Sequence, residues 1–418
     1  MLRKRPSPSR LPRAGQRGVS IIETMVGVLI GMIVVAVVYN VLVMAEGYKR
    51  STIGVADAQI TGQLAQFVVG RELANGGAAM MIGVDELSRC ADWRLKALPV
   101  AITAGADANT PDQLLVFYST SPRIVHPVRF SNYSNTTPTP FIVDSPNGFK
   151  AGDWLIATNR ATECVLTKAT GIVQPDDSPY PPANVDGQVK IAYAPPVTAG
   201  LVLNTDWRLI NMGPQLSRVH YTVDTAKAQL NSRNVNWVDP GWPLPTVPLA
   251  QNVVLLKAQY GVDTDADNVI DCWTPADNAN TCGNGIDYSG PTDVTGATAA
   301  DGGPFASNAN TARLRSIKAV RVAVVVRSEH QERPDPVMWA SLVNQTAWLF
   351  NCAANDGTCQ SRIQIDSTVL NDYIRYRIYE TVIPLRNALW NNQCRPPASC
   401  SGAARPPGGS AASCSSSR

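Results

Sequence analysis

The chain has 418 residues, of which 36 are lysine or arginine and 33 are aspartate or glutamate, and its net charge is +3. Six basic residues and no acidic one lie in residues 1–18, so 30 basic and 33 acidic residues remain and give the body a charge of about −3. A body without a basic surplus argues against nucleic-acid binding. The length allows two or three domains, and 31 prolines and 30 glycines indicate long loops.

The N-terminal stretch joins a basic segment, a glycine and a long apolar run. Between Val19 and Ala45, Glu23 is the one acidic or basic side chain. As a helix this run is about 40 Å long, enough to cross a hydrocarbon core of about 30 Å. The preceding arginines are expected to stay cytoplasmic, which sends the C-terminal body to the periplasm. A secretory signal has its apolar region before the cleavage site, whereas here it follows Gly18.

Glu23 is the informative residue of this run. A charged carboxylate in a membrane helix costs about 2.5–3.5 kcal/mol on insertion scales, so such residues are usually paired or functional. The pattern resembles the processing site and stalk of type IV prepilins. The resemblance implies that a membrane peptidase cleaves after Gly18 and methylates Val19, and that Glu23 meets a neighbouring subunit's amine during assembly. The chain departs from the prepilin pattern at two positions. Val19 stands where phenylalanine is commoner, and Asn40 stands where major pilins often have proline. The alternative is a signal-anchor helix that carries this glutamate by chance.

The helix is predicted to continue beyond the membrane and to pack on a head. Ile60, Leu64 and Phe67 recur every three or four residues, and Asn75-Gly76-Gly77 ends the pattern. The predicted segments are a cleaved leader at 1–18, a membrane half of the stalk at 19–45, a periplasmic half at 46–76, a head at 77–394 and a disordered tail at 395–418.

The head is predicted to be rich in antiparallel strands. The clearest strand is Ile317–Arg327, where valines alternate with other residues, and a second is Ile374–Val382. The expected fold class is α+β, pilin-like, with the long N-terminal helix packed on an antiparallel sheet. Further strands are predicted at Gln113–Ser119, Asp153–Thr158, Val189–Tyr193 and Arg218–Val223, and long loops at 131–150, 174–187 and 273–312.

Nine cysteines favour disulfides formed in an oxidising compartment. The candidates are Cys272 with Cys282, and Cys352 with Cys359. Both spacings are wrong for zinc knuckles, whose paired cysteines are two to four residues apart. The odd count leaves at least one thiol free or paired between chains.

Residues 263–271 are predicted to form an acidic loop, in which aspartates alternate with other residues. On a turn such carboxylates converge on one point, as the binding of a hard cation requires. Calcium takes 6–8 oxygen ligands, including a backbone carbonyl at the seventh loop position. Thr274 stands where an EF-hand has a glutamate, so the loop is not an EF-hand. The sequence of residues 263–271 is similar to the calcium loop of a pilus-tip adhesin. The alternative is a solvated acidic loop. The predicted calcium ligands are Asp263, Asp265, Asp267, Val269 and Asp271.

Catalytic motifs are absent from the sequence. His126, His220 and His330 are far apart, and there is no nucleophile elbow, Walker loop or dinucleotide fingerprint. We therefore do not expect an enzyme.

Three sequence segments point to a particular family within the pilins. They are Gln251–Asp263, Arg315–Val322 and Tyr373–Asn387. With the stalk they resemble the PilW family of minor pilins. The resemblance implies a non-enzymatic subunit of a complex that primes pilus assembly and lies at or near the tip. It implies as partners other minor pilins, the major pilin, the prepilin peptidase, the tip adhesin and the inner-membrane assembly platform. Alternatives are a type II secretion pseudopilin of the same build, and a membrane-anchored periplasmic enzyme or adhesin.

Overall fold

The structure is a computed structural model, and it describes most of the stalk and head. The described residues are 18, 20–81, 87–107, 109–122, 126–130, 140–145, 148–173, 189–194, 204–235, 244–277, 282–291, 311–329, 346–350, 362–364, 374 and 376–389. The predictions for the leader up to residue 17, the loop 174–187 and the tail 395–418 lie outside them.

Helix α1 (Ile21–Asn75) confirms the long stalk predicted from the apolar periodicity. Its 55 residues contain no proline, so no backbone hydrogen bond is lost along its length. At its end the Nδ2 of Asn387 donates to the carbonyl oxygens of Asn75 and Gly76 at 3.3 and 3.0 Å. Carbonyls of the last helical turn, which have no partner within a helix, are thus bound by a residue from the far end of the chain.

The head is built from antiparallel strands, of which 17 are described, with three short helical segments. The strands are β1 (Val100–Thr103), β2 (Gln113–Ser119), β3 (Val128–Arg129), β4 (Phe141–Val143), β5 (Trp154–Thr158), β6 (Cys164–Val173), β7 (Val189–Ala194), β8 (Arg208–Gly213), β9 (Leu216–Asp224), β10 (Gln229–Asn234), β11 (Val247–Gln251), β12 (Val253–Val262), β13 (Cys272–Pro275), β14 (Ile317–Arg327), β15 (Thr346–Trp348), β16 (Arg362–Gln364) and β17 (Tyr376–Pro384). The helical segments are a 3-10 turn (Trp93–Leu95), α2 (Thr311–Ser316) and α3 (Arg386–Leu389). All six strands predicted from the sequence are present, with ends shifted by at most two residues.

A four-stranded sheet in the order β13-β12-β14-β17 carries the stalk. Its central strands are buried on both faces because the helix covers one face and Leu349 and Phe350 pack on the other. A five-stranded sheet, β1-β2-β9-β10-β11, adjoins it and shares the same core. The fold is therefore α+β, with one long helix against antiparallel sheets.

Between Gly54 and Val69 the stalk meets the head mostly through small residues, and Leu73 is buried near its end. Gly54, Ala58, Gly62, Ala65 and Val69 recur on the buried side of α1. Small side chains let the helix backbone approach the sheet closely, and larger core residues of the sheet fill the remaining space. The larger apolar residues of the sequence repeat therefore do not pack on the head. Those residues, Ile60, Leu64 and Phe67, are 66%, 48% and 65% exposed.

The described residues between 120 and 215 form a β-barrel inserted into the head. Strands β2 and β9 pair directly, and the chain between them builds a six-stranded sheet, β3-β8-β5-β6-β7-β4. A bridge between Phe130 and Val143 joins its two outer strands and closes the sheet. The interior is filled with side chains, including Phe141 stacked on Tyr193 at 3.9 Å. The described part of the barrel interior is therefore a packed core, as expected for a barrel of few strands.

Two predicted long loops contain regular structure. The segment 131–150 includes β4 and the buried Phe149, and 273–312 begins inside β13 and ends in α2. Strand β4 has only three residues and pairs with β7, which is remote in sequence, so no local pattern marks it.

The barrel is fixed to the head by packing and by a covalent bond. Ile156, Ile210 and Met212 point outward from barrel strands into the main core. Cys90, which precedes β1, is bonded to Cys164 of β6, and Ala91 N donates to Thr162 O at 2.9 Å. The insert is thus held in a defined orientation.

Candidate functional site

The first half of α1 is apolar on every side and uncovered. One 18-residue window has a mean hydropathy of 2.7, and none of it is buried. Among the described residues this is the one helix long and apolar enough to cross a membrane. Its length and composition are consistent with membrane association.

The predicted processing and assembly residues lie at the start of this helix. Gly18 is exposed and precedes the helix, and Val19 lies outside the described residues. Glu23 stands in the first turn with its side chain exposed, and it forms no ion pair with another described residue. A carboxylate in the first turn is stabilised by the positive end of the helix dipole.

The second half of α1 is fixed to the head by specific contacts. The ring of Tyr379 fills the space above Gly62, and its hydroxyl lies 3.5 Å from Ala58 O. Gln66 Nε2 donates to Glu380 O at 3.0 Å. These contacts lie along β17 and hold the stalk against the four-stranded sheet.

A second hydrogen bond ties the end of the stalk to the five-stranded sheet. The hydroxyl of Tyr118 on β2 donates to Glu72 Oε2 at 2.6 Å. Burial, together with this bond, raises the pKa of Tyr118, so the hydroxyl stays a donor at neutral pH.

An apolar stripe runs along the periplasmic half of the stalk on the side opposite the head. It is formed by Ile53, Ile60, Leu64 and Phe67, all of which are exposed. Their intervals of seven, four and three residues are those of a heptad seam, the spacing with which one helix packs along another. This spacing is compatible with packing of a second helix along the stripe. The sequence contained this signal, but periodicity alone does not tell which side of a helix faces the head.

The acidic loop brings three of its predicted ligands together. Oxygens of Asp263, Asp265 and Asp267 lie within 4.8 Å of one another. Asp263 is buried, and its two oxygens accept from Ala266 N at 2.6 Å and Asn268 N at 3.0 Å. Asn268 has a φ of 70°, a left-handed backbone conformation that asparagine tolerates.

The other two predicted ligands lie differently. Asp271 Oδ2 accepts from both the hydroxyl and the amide of Thr264 at 2.6 Å, and these hydrogen bonds lower the pKa of Asp271. Asp271 thus closes the base of the loop rather than joining the three-carboxylate group. Val269 lies at the exposed tip, where its N–H donates to Asp267 Oδ1 at 2.7 Å.

Sequence reasoning missed Lys318, which reaches into this loop from β14. Its Nζ lies 3.4 Å from Asp263 Oδ2 and 3.1 Å from Asn268 Oδ1. The loop residues fit calcium only in part, because an ammonium group already contacts the most buried carboxylate. Calcium binding stays a prediction.

Two disulfides are described. Cys272–Cys282 was predicted and closes the segment after the acidic loop, whereas Cys90–Cys164 was not predicted. Cys352 and Cys359 lie outside the described residues. The two bonds agree with the oxidising compartment inferred from the cysteine content.

Residues 220–387 match the family model described as Type IV Pilus-assembly protein W. The match covers less than half of the chain, and it supports the resemblance to the PilW family drawn from the sequence. The PilW segment begins within β9 and ends in α3, so it includes the four-stranded sheet, the acidic loop and Lys318. The stalk and the inserted barrel lie outside it. No curated protein and no solved structure matches the chain.

Proposed function

We propose that this protein is a minor pilin of a type IV pilus, incorporated in a tip or priming complex that starts pilus assembly. The observation that carries the proposal is the stalk. One continuous helix joins an uncovered apolar half to a half that exposes an apolar stripe away from its own head. A simple membrane anchor needs the first half but not the stripe. The PilW match supports a role in pilus assembly.

The proposed mechanism begins with cleavage after Gly18 by the prepilin peptidase and methylation of Val19. The mature subunit waits in the inner membrane with its head in the periplasm. Glu23, exposed in the first turn, then pairs with the α-amine of a neighbouring pilin. This pairing offsets the cost of a carboxylate in hydrocarbon, and the stripe adds helix packing beyond the membrane. The partners are other minor pilins, the major pilin, the tip adhesin and the inner-membrane assembly platform.

Two of the three histidines lie among the described residues. His220 is buried in β9, where its Nε2 lies 2.9 Å from Gln113 Oε1 on the neighbouring strand. This is a packing arrangement between two paired strands. His126 is exposed.

A complementation experiment tests the proposal. A strain that lacks the protein is supplied with wild type or with Gly18→Leu, and precursor size and surface pili are measured. The proposal expects the variant to accumulate as the longer precursor and pili to be lost. Normal pilus numbers with an unprocessed precursor would contradict it and favour an anchored enzyme or adhesin. Wild-type protein found only in secretion pseudopili would favour the pseudopilin alternative.

A further inference from the structure

Lys318 owes its position to an irregularity in the sheet. Along the β12–β14 pair, Val262 lies opposite Ile317 while Gly261 lies opposite Ala319. Lys318 is therefore the extra residue of a β-bulge, and bulges re-aim the side chain that they contain. Its carbonyl still accepts from Leu385 N at 2.9 Å, which fixes the backbone at this point.

The bulge aims the ammonium at the acidic loop. Nζ contacts Asp263 Oδ2 and Asn268 Oδ1, and the side chains of Lys318 and Asp263 are each 1% exposed. The same carboxylate accepts two amides of the loop, at Ala266 and Asn268. The loop is thus wound around one buried carboxylate, and a single cation neutralises that carboxylate from the sheet side.

We propose that the ammonium of Lys318 serves as the resident cation of the acidic loop, so that the loop closes without a divalent metal. A buried carboxylate without a partner is strongly destabilising, which is why a loop of this kind needs a positive charge. A tethered ammonium supplies that charge permanently. Lys318 is then the residue that decides whether the loop depends on calcium.

Hydrogen–deuterium exchange of the full-length protein in detergent tests this directly. Peptides covering residues 263–271 report on the amides of Thr264, Ala266 and Asn268, which the closed loop protects. Exchange is compared in excess EDTA and in millimolar calcium chloride. The variants are Lys318→Met, which keeps the volume of the side chain but removes its charge, and the control Lys227→Met, which removes an exposed lysine from an ion pair with Asp224.

The proposal expects wild type and Lys227→Met to show the same protection in EDTA and in calcium. Lys318→Met should lose at least tenfold in protection in EDTA and regain it in calcium, because the carboxylates can then recruit an outside cation. A wild-type loop that is protected only in calcium would overturn the proposal, as would a Lys318→Met loop still protected in EDTA. The wild-type comparison needs no variant, so misfolding of Lys318→Met leaves the proposal falsifiable.

Discussion

The ring of Tyr379 occupies the position that a side chain at Gly62 would need. A Cβ at Gly62 would overlap three atoms of that ring. This pair of residues sets how closely the stalk approaches the four-stranded sheet, which lies within the segment that matches PilW.

Replacing Gly62 by alanine should loosen the stalk from the head. Overpacking costs about 1–3 kcal/mol, partly offset by the gain of up to about 1 kcal/mol in helix propensity. We expect the free energy of unfolding to fall by about 1–2 kcal/mol, measured by denaturant melts in detergent. The control is Gly47→Ala in the same helix, because nothing lies within 4 Å of a Cβ there. Equal stability of the two variants would contradict the account.

Placing a charge on the apolar stripe should block assembly without unfolding the subunit. Leu64 is exposed, so Leu64→Lys should change the free energy of unfolding by no more than about 0.5 kcal/mol. We expect its amount in sheared pili to fall about tenfold or more, since a buried lysine would oppose helix packing. Gln63→Lys adds the same charge beside the stripe, and it should assemble normally. Equal incorporation of the two variants would show that the stripe is not an interface.

The sequence was informative where the signal is local. The alternating valines of β14 predicted that strand to the residue, and uninterrupted helix-forming sequence predicted α1 to within one residue of its end. The barrel depends instead on pairing between strands far apart in sequence, such as β3 with β8 and β4 with β7. Its shortest strands have two and three residues, too few to show a period.

The candidate site, too, could be predicted from the sequence only in part. The convergence of Asp263, Asp265 and Asp267 follows from their alternation along a turn, so it could be predicted. The approach of Lys318 depends on a bulge in a paired strand, which no single strand reveals. Likewise, no local sequence signal predicts the disulfide between Cys90 and Cys164. The two cysteines are 74 residues apart, and β1, β2 and half of the barrel lie between them.

The two disulfides should differ in their contribution to stability. In the chain-entropy model a closed loop of 74 residues contributes about 4 kcal/mol and one of 10 residues about 3 kcal/mol. Replacing Cys90 and Cys164 by alanine should therefore destabilise the head more than replacing Cys272 and Cys282. Denaturant unfolding of both double variants checks the order. The opposite order would mean that Cys90–Cys164 does not tie the barrel to the rest of the head.

Neutralising Glu23 should separate processing from assembly. Glu23→Gln keeps the shape of the side chain and removes the charge that is proposed to attract a neighbour's amine. We expect normal cleavage and membrane insertion but a strong loss of the protein from pili. Asp57→Asn, which removes a charge from the periplasmic half of the same helix, is the control. Full incorporation of Glu23→Gln would contradict the proposed role.

The most direct test of the central claim is N-terminal mass spectrometry of the protein taken from sheared pili. The account predicts a mature chain that begins at Val19 and carries a methylated α-amine. Absence of the protein from pili, or a mature chain that begins at Met1, would contradict it.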